Sequence, residues 1–98
     1  MKVCFKAPRA DVAMLEIENT LSALQAAVGG YIEVVPFASD VVIVCNEEGR
    51  MLNLPYNCMI CGMEFYGPVL ICGVNGEQFC DVPQDAARLI WRDGYVQM

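Results

Sequence analysis

Tyr31-Ile32-Glu33-Val34-Val35-Pro36-Phe37 and Val41-Val42-Ile43-Val44-Cys45-Asn46, separated by Ala38-Ser39-Asp40, decide the fold. Both runs are rich in β-branched and aromatic residues, and three residues between them suit a hairpin loop. Cys45 shares strand parity with Val41 and Ile43, which places its side chain in the core with them. Upstream, Asn19 offers an N-cap oxygen to the first turn of a helix. Leu21, Leu24 and Val28 then fall on one face of that helix, about residues 20–28. Gly29-Gly30 stops it, because glycine tolerates the left-handed conformation after a helix.

Further out, residues 2–6 and Val12–Glu18 read as a second hairpin, the latter with alternating Met14, Glu16, Glu18 and Leu15, Ile17. Downstream, Glu47-Glu48-Gly49 turns the chain and Arg50–Leu54 is expected to add a short strand. Residues 55–67 carry Pro, Asn and Gly and read as a loop. Pro68–Val74 is an apolar strand, and Asn75-Gly76 a tight-turn signal into Glu77–Cys80. Pro83 suits the first turn of a short C-terminal helix, about residues 84–92, closed by Gly94. The expected class is α+β, a mostly antiparallel sheet with one main and one short helix, in a single domain over residues 1–98.

The composition narrows the function classes. The chain is 98 residues long, 56% hydrophobic and 18% charged, so it has apolar material for one packed core. No apolar run is long enough to cross a bilayer, and Met-Lys-Val-Cys-Phe-Lys lacks the features of a signal peptide, so a cytoplasmic location is expected. The formal charge is −6. Between Ala10 and Gly49 lie Asp11, Glu16, Glu18, Glu33, Asp40, Glu47 and Glu48, with no Lys or Arg. That stretch repels a phosphate backbone, so no direct nucleic-acid binding is expected, and it favours a basic partner; a solvated acidic surface that only aids solubility is the competing explanation.

Catalysis finds little material. The chain has no histidine, the commonest acid–base group near neutral pH. Thr20, Ser22 and Ser39 lie in no nucleophile motif, and Gly29-Gly30 follows a helix instead of opening one, so no phosphate loop is present.

Six cysteines are many for a reducing compartment, where metal binding or burial is the usual explanation. Cys58-Met59-Ile60-Cys61-Gly62 spaces two thiols as a zinc knuckle does. With no histidine to complete the set, Cys72 and Cys80, either side of the Asn75-Gly76 turn, are the expected partners of Cys58 and Cys61 in a structural zinc site. Buried small residues are the competing explanation. A redox pair would require the CxxC at the start of a helix, whereas a strand follows here. Cys4 and Cys45 read as core. Among the aromatics, Phe5, Phe37 and Phe79 read as core, while Tyr31, Tyr56, Phe65, Tyr66, Trp91 and Tyr95 could line a recognition surface. Arg88 and Arg92, four apart on the last helix, would make a small basic spot.

The runs Glu16-Ile17-Glu18-Asn19-Thr20-Leu21, Gly29-Gly30-Tyr31-Ile32-Glu33, Val44-Cys45-Asn46-Glu47-Glu48-Gly49, Leu54-Pro55-Tyr56-Asn57 and Gly73-Val74-Asn75-Gly76-Glu77-Gln78-Phe79 together resemble a small-domain family of unknown function. Its members occur largely on phages, plasmids and conjugative elements. The resemblance spans residues 13–80, and Cys58, Cys61 and Cys80 depart from the family pattern. It implies a mobile-element setting, in which small acidic proteins often block host defences, some as zinc-containing anti-CRISPR proteins acting on Cas9. The expected function is therefore a non-enzymatic inhibitor that binds a host defence nuclease such as Cas9, with Glu16, Glu18, Glu33, Asp40, Glu47 and Glu48 as the partner-binding acids. The alternatives are an accessory or regulatory module of the element, and a thiol redox or metal-handling protein.

Overall fold

Two strands that are apolar at nearly every position organise the molecule. In the computed structural model, which describes residues 1–86 and the backbone of 96–97, β4 (Val41–Asn46) is buried along its whole length. β7 (Val69–Asn75) is buried from Val69 to Gly73. A strand that is apolar on both sides must be covered on both faces, and this pair lies side by side in the centre of a sheet. β1 (Lys2–Lys6) and β2 (Ala13–Glu16) form one flank, and β3 (Ile32–Ala38) the other. The order is β2-β1-β7-β4-β3, all neighbours antiparallel, with β8 (Gln78–Cys80) added to the far end of β7. Pro36 lies on the edge strand β3, where a missing N–H is tolerated, and the register shifts beside it.

The helix α1 (Leu21–Val28) covers one face of this sheet. Leu24 and Val28 pack there with Val3, Val42, Val44, Leu70 and Cys72. A second, smaller sheet covers the other face: β5 (Tyr56–Ile60) and β6 (Met63–Tyr66) form a hairpin, and β9 (Val96–Gln97) pairs with β5. Cys58, Ile60 and Phe65 from the hairpin meet Cys4, Val41, Ile43, Cys45, Val69 and Ile71. The protein is thus a mostly antiparallel β structure, more dominated by sheet than an α+β reading with a main helix implies, because only α1 among the described residues exceeds a single turn or so.

Several local expectations are corrected. The N-cap is Thr20, whose side chain accepts from the Ala23 N–H at 3.1 Å. Asn19 instead donates to the Phe79 carbonyl at 2.8 Å. Leu21 is 57% exposed and does not share the core face with Leu24 and Val28. Gly29 does cap the helix, at φ +80°. Arg50–Leu54 is no strand: the Leu52, Asn53 and Leu54 N–H groups close turns onto the Glu48, Arg50 and Gly49 carbonyls. Residues 55–67, read as a loop, hold the β5–β6 hairpin. In the C-terminal turn signal, Gly76, at φ +65°, is the first central residue of the β7–β8 turn, since Asn75 pairs with Gln78. Residues 84–86 are helical, while the remainder of the expected second helix, 87–92, lies outside the described residues.

Candidate functional site

The motif residues at the ends of α1, β3 and β4 meet around the buried Asn46. Its side-chain amide donates to the Val28 carbonyl at 3.2 Å, satisfying a helix-end acceptor, and its oxygen accepts from the Glu48 N–H at 2.8 Å. Gly30 packs so closely that a Cβ there would stand 2.9 Å from the Asn46 amide nitrogen. The Glu47 N–H donates to the Tyr31 carbonyl at 2.9 Å. Gly49 lies against the Tyr66 carbonyl, which a Cβ would approach to 2.5 Å. Asn46 and Gly30, with the Glu47–Tyr31 backbone bond, therefore join the Gly-Gly-Tyr-Ile-Glu and Cys-Asn-Glu-Glu-Gly segments, while Gly49 seats the second against Tyr66.

Beside this lock opens a groove of about 210 Å³, lined by Glu33, Cys45, Glu47, Arg50, Glu64 and Tyr66 among others. Arg50 forms an ion pair with Glu64 at 3.1 Å and lies over the Tyr66 ring, 4.8 Å from its centroid. The Tyr66 hydroxyl donates to the same Glu64 oxygen at 2.8 Å, and this bond raises the phenol pKa. Cys45 faces Glu33, and burial first, then the nearby carboxylate, push its thiol up to about 11. Among the described residues lining the groove, Arg50 alone offsets three carboxylates, which makes the field there negative.

β3 runs along the groove as the outer strand, and among the described residues it pairs only with β4. Exposed apolar groups lie on both of its faces: Tyr31, just before the strand and on the Glu33 side, is 67% exposed, and Val34, on the α1 side, is 41% exposed.

The six expected partner-binding acids do not form one face. Glu33, Glu47 and Glu48 gather near the β3 edge. Glu16 and Glu18 lie on and just after β2, at the opposite edge, four strand spacings or about 19 Å away. Asp40 lies in the β3–β4 turn. The charge run was legible in sequence, but the sheet order that divides it was not.

The four expected zinc ligands do not all meet, although Cys72 and Cys80 lie close enough to influence each other. Cys58 is buried beneath the small sheet, whereas Cys72 is buried under α1, on the other side of the large sheet. Cys61 and Cys80 are exposed. Cys61 and Gly62, at φ +50° and +81°, are the two central residues of the β5–β6 hairpin, since Ile60 pairs with Met63. Two successive positive φ angles define a type I′ turn, so the CxxC is a strand end plus a hairpin turn, with its sulfurs aimed apart. A closed zinc site needs four ligands at one point. These four do not fit that requirement, and no group of three or more Cys, Asp or Glu converges among the described residues. Burial pushes the Cys72 thiol up to about 12, and burial outweighs the opposing Lys6 charge in raising Cys58.

Of the aromatics, Phe65 is core, Tyr31 and Tyr56 are exposed, and Tyr66 is half-buried. Trp91, Tyr95, Arg88 and Arg92 lie outside the described residues. Sequence reading missed Arg50 and Glu64, whose partnership crosses from a turn to a strand. It also missed Lys6, although Lys6 shares strand parity with the buried Cys4 and so had to point inward.

Fold and groove together define a small acidic β domain built around an interlocked pair of segment motifs. The chain belongs to the family described as Domain of unknown function (DUF3846), whose model matches residues 1–93. No curated protein and no solved structure matches it.

Proposed function

We propose that this chain is a non-catalytic interaction module that receives a basic segment of a partner protein along the β3 edge. The observation that carries the reading is the β3 edge, which pairs on one side only among the described residues, with exposed Tyr31 near Glu33 and Glu47 and exposed Val34 on the opposite face. An unpaired edge offers backbone donors and acceptors to an added strand. Aromatic and aliphatic groups within it supply the anchors that dominate interface energetics. The negative groove selects a partner with Lys or Arg at matching positions and speeds its approach.

The same groove is poor material for catalysis. Its thiol is held protonated near neutral pH by burial, its arginine is bound to Glu64, and the chain has no histidine. A mobile-element setting, implied by the sequence resemblance, makes a host nuclease with a basic DNA channel the first partner to test, and Cas9 presents such a channel. The acids involved are Glu33, Glu47 and Glu48; Glu16 and Glu18 are too distant to join the same contact.

The test is a DNA-cleavage assay with a purified Cas9–guide complex, alongside direct binding. The wild-type chain should bind and slow cleavage, while Val34→Asp with Glu33→Lys and Glu47→Lys should do neither and remain folded. An inhibitor unaffected by these substitutions would contradict the β3 surface. Binding to an element-encoded protein with no effect on cleavage would instead favour the accessory-module reading.

A further inference from the structure

Lys6 is a charged side chain that is only 1% exposed, and no carboxylate among the described residues pairs with it. Its amine donates to the Asn57 side-chain oxygen at 2.9 Å and to the Ala7 carbonyl at 3.2 Å. An ammonium has three donors, so two neutral acceptors leave one donor and the whole charge without a counter-ion. Burying an unpaired ion is expensive. Lys6 also lines a cavity of about 380 Å³ together with Arg9, Pro55, Tyr56 and Asn57.

Arg9 carries a second anomaly. The Ala10 N–H reaches the Ala7 carbonyl at 3.3 Å, Pro8 is the second residue of the turn, and Arg9 is the third at φ +61°. This is the pattern of a type II turn, whose third position favours glycine. An arginine there accepts backbone strain that glycine would avoid. On this acidic molecule the cavity thus gathers two of six basic residues, neither in an ion pair with any described residue. Tyr56, 43% exposed, adds an aromatic wall.

We infer that the Lys6–Arg9 cavity binds a small oxyanion, its charged end on the guanidinium with the buried ammonium behind it and its body against Tyr56 and Pro55. The guanidinium supplies a planar fork for a carboxylate or phosphate, and the ammonium a point charge behind it. The site is independent of the β3 surface.

Binding is tested by calorimetric titration of the full chain with inorganic phosphate, adenosine monophosphate and benzoate, with Arg9→Gly beside it. Saturable binding by phosphate or the nucleotide assigns a phosphate ligand, and by benzoate a carboxylate; either result supports the site. Arg9→Gly should melt no lower than wild type, because it relieves the turn, yet bind at least tenfold more weakly. If no probe saturates by about 10 mM, weaker than any millimolar complex, the inference is overturned. Equal binding by a folded Arg9→Gly variant overturns it as well.

Discussion

Asn57 and Lys6 grip each other through both ends of the asparagine amide. The Asn57 oxygen accepts from the Lys6 ammonium at 2.9 Å, while its nitrogen donates to the Lys6 carbonyl and to the Gly67 carbonyl, both at 2.8 Å. One side chain thereby ties β1 to the start of the small sheet, and it closes the loop in which the Gly67 N–H meets the Pro55 carbonyl. Asn57→Ala strands two buried carbonyls and removes an acceptor from a buried cation. A loss of about 3 kcal/mol is expected, read from urea unfolding. A loss below about 1 kcal/mol, the size of an ordinary hydrogen bond, would show that the grip is not needed.

The Cys61-Gly62 turn makes a prediction of the opposite sign. Cysteine gains nothing from a positive φ, whereas Asn-Gly is the favoured type I′ pair. Cys61→Asn should raise stability by about 0.5–1 kcal/mol, while Cys61→Val should lower it. A zinc-knuckle role for Cys61 would make both substitutions destabilising and both sensitive to a chelator. Thermal melts with and without chelator separate the two.

Thiol accessibility follows the two-sided core. In the native protein near pH 8, iodoacetamide should modify Cys61 and Cys80, the exposed pair, and spare Cys4, Cys45, Cys58 and Cys72 until the chain unfolds. The reagent reacts with the thiolate, and burial pushes Cys45 up to about 11 and Cys72 to about 12. Peptide mapping reads the result. Rapid native labelling of Cys72 would contradict its place beneath α1.

The same shifts set an alkaline limit. An unfolded thiol ionises near 9.0, and in the folded chain Cys45 and Cys72 hold their protons well above that. Their folded pKa is raised, so the stability they contribute is present below pH 9 and is lost as pH climbs through 11 to 12. Urea midpoints should fall over that window, and Cys72→Ala should flatten the part of the fall due to this thiol. A midpoint indifferent to pH over the window would contradict the burial.

The strands were legible because their signals are local. Val41–Asn46 and its partner Tyr31–Phe37 declare themselves by β-rich composition, and Gly29 by its place after an amphipathic stretch. What was not legible depended on sheet order. Whether Glu16 and Glu33 share a face, or Cys58 and Cys72 a side of the sheet, is settled by which strands become neighbours across long sequence separations. The β5–β6 hairpin was missed because Cys-Gly is an unusual type I′ pair and the CxxC spacing offered a more familiar explanation. The packing around Asn46 and Tyr66 gives a physical reason for glycine at two positions: Asn46 and the Tyr66 carbonyl occupy the space that a Cβ at Gly30 and Gly49 would need.

The central claim, a basic partner seated on the β3 edge, is tested most directly by calorimetric titration into a purified Cas9–guide complex at low and moderate salt. The account predicts binding that weakens steeply between about 0.05 and 0.2 M salt and disappears in the variant carrying Val34→Asp, Glu33→Lys and Glu47→Lys. Binding that is indifferent to salt and retained by that variant, or no binding by the wild-type chain at either salt, would contradict it.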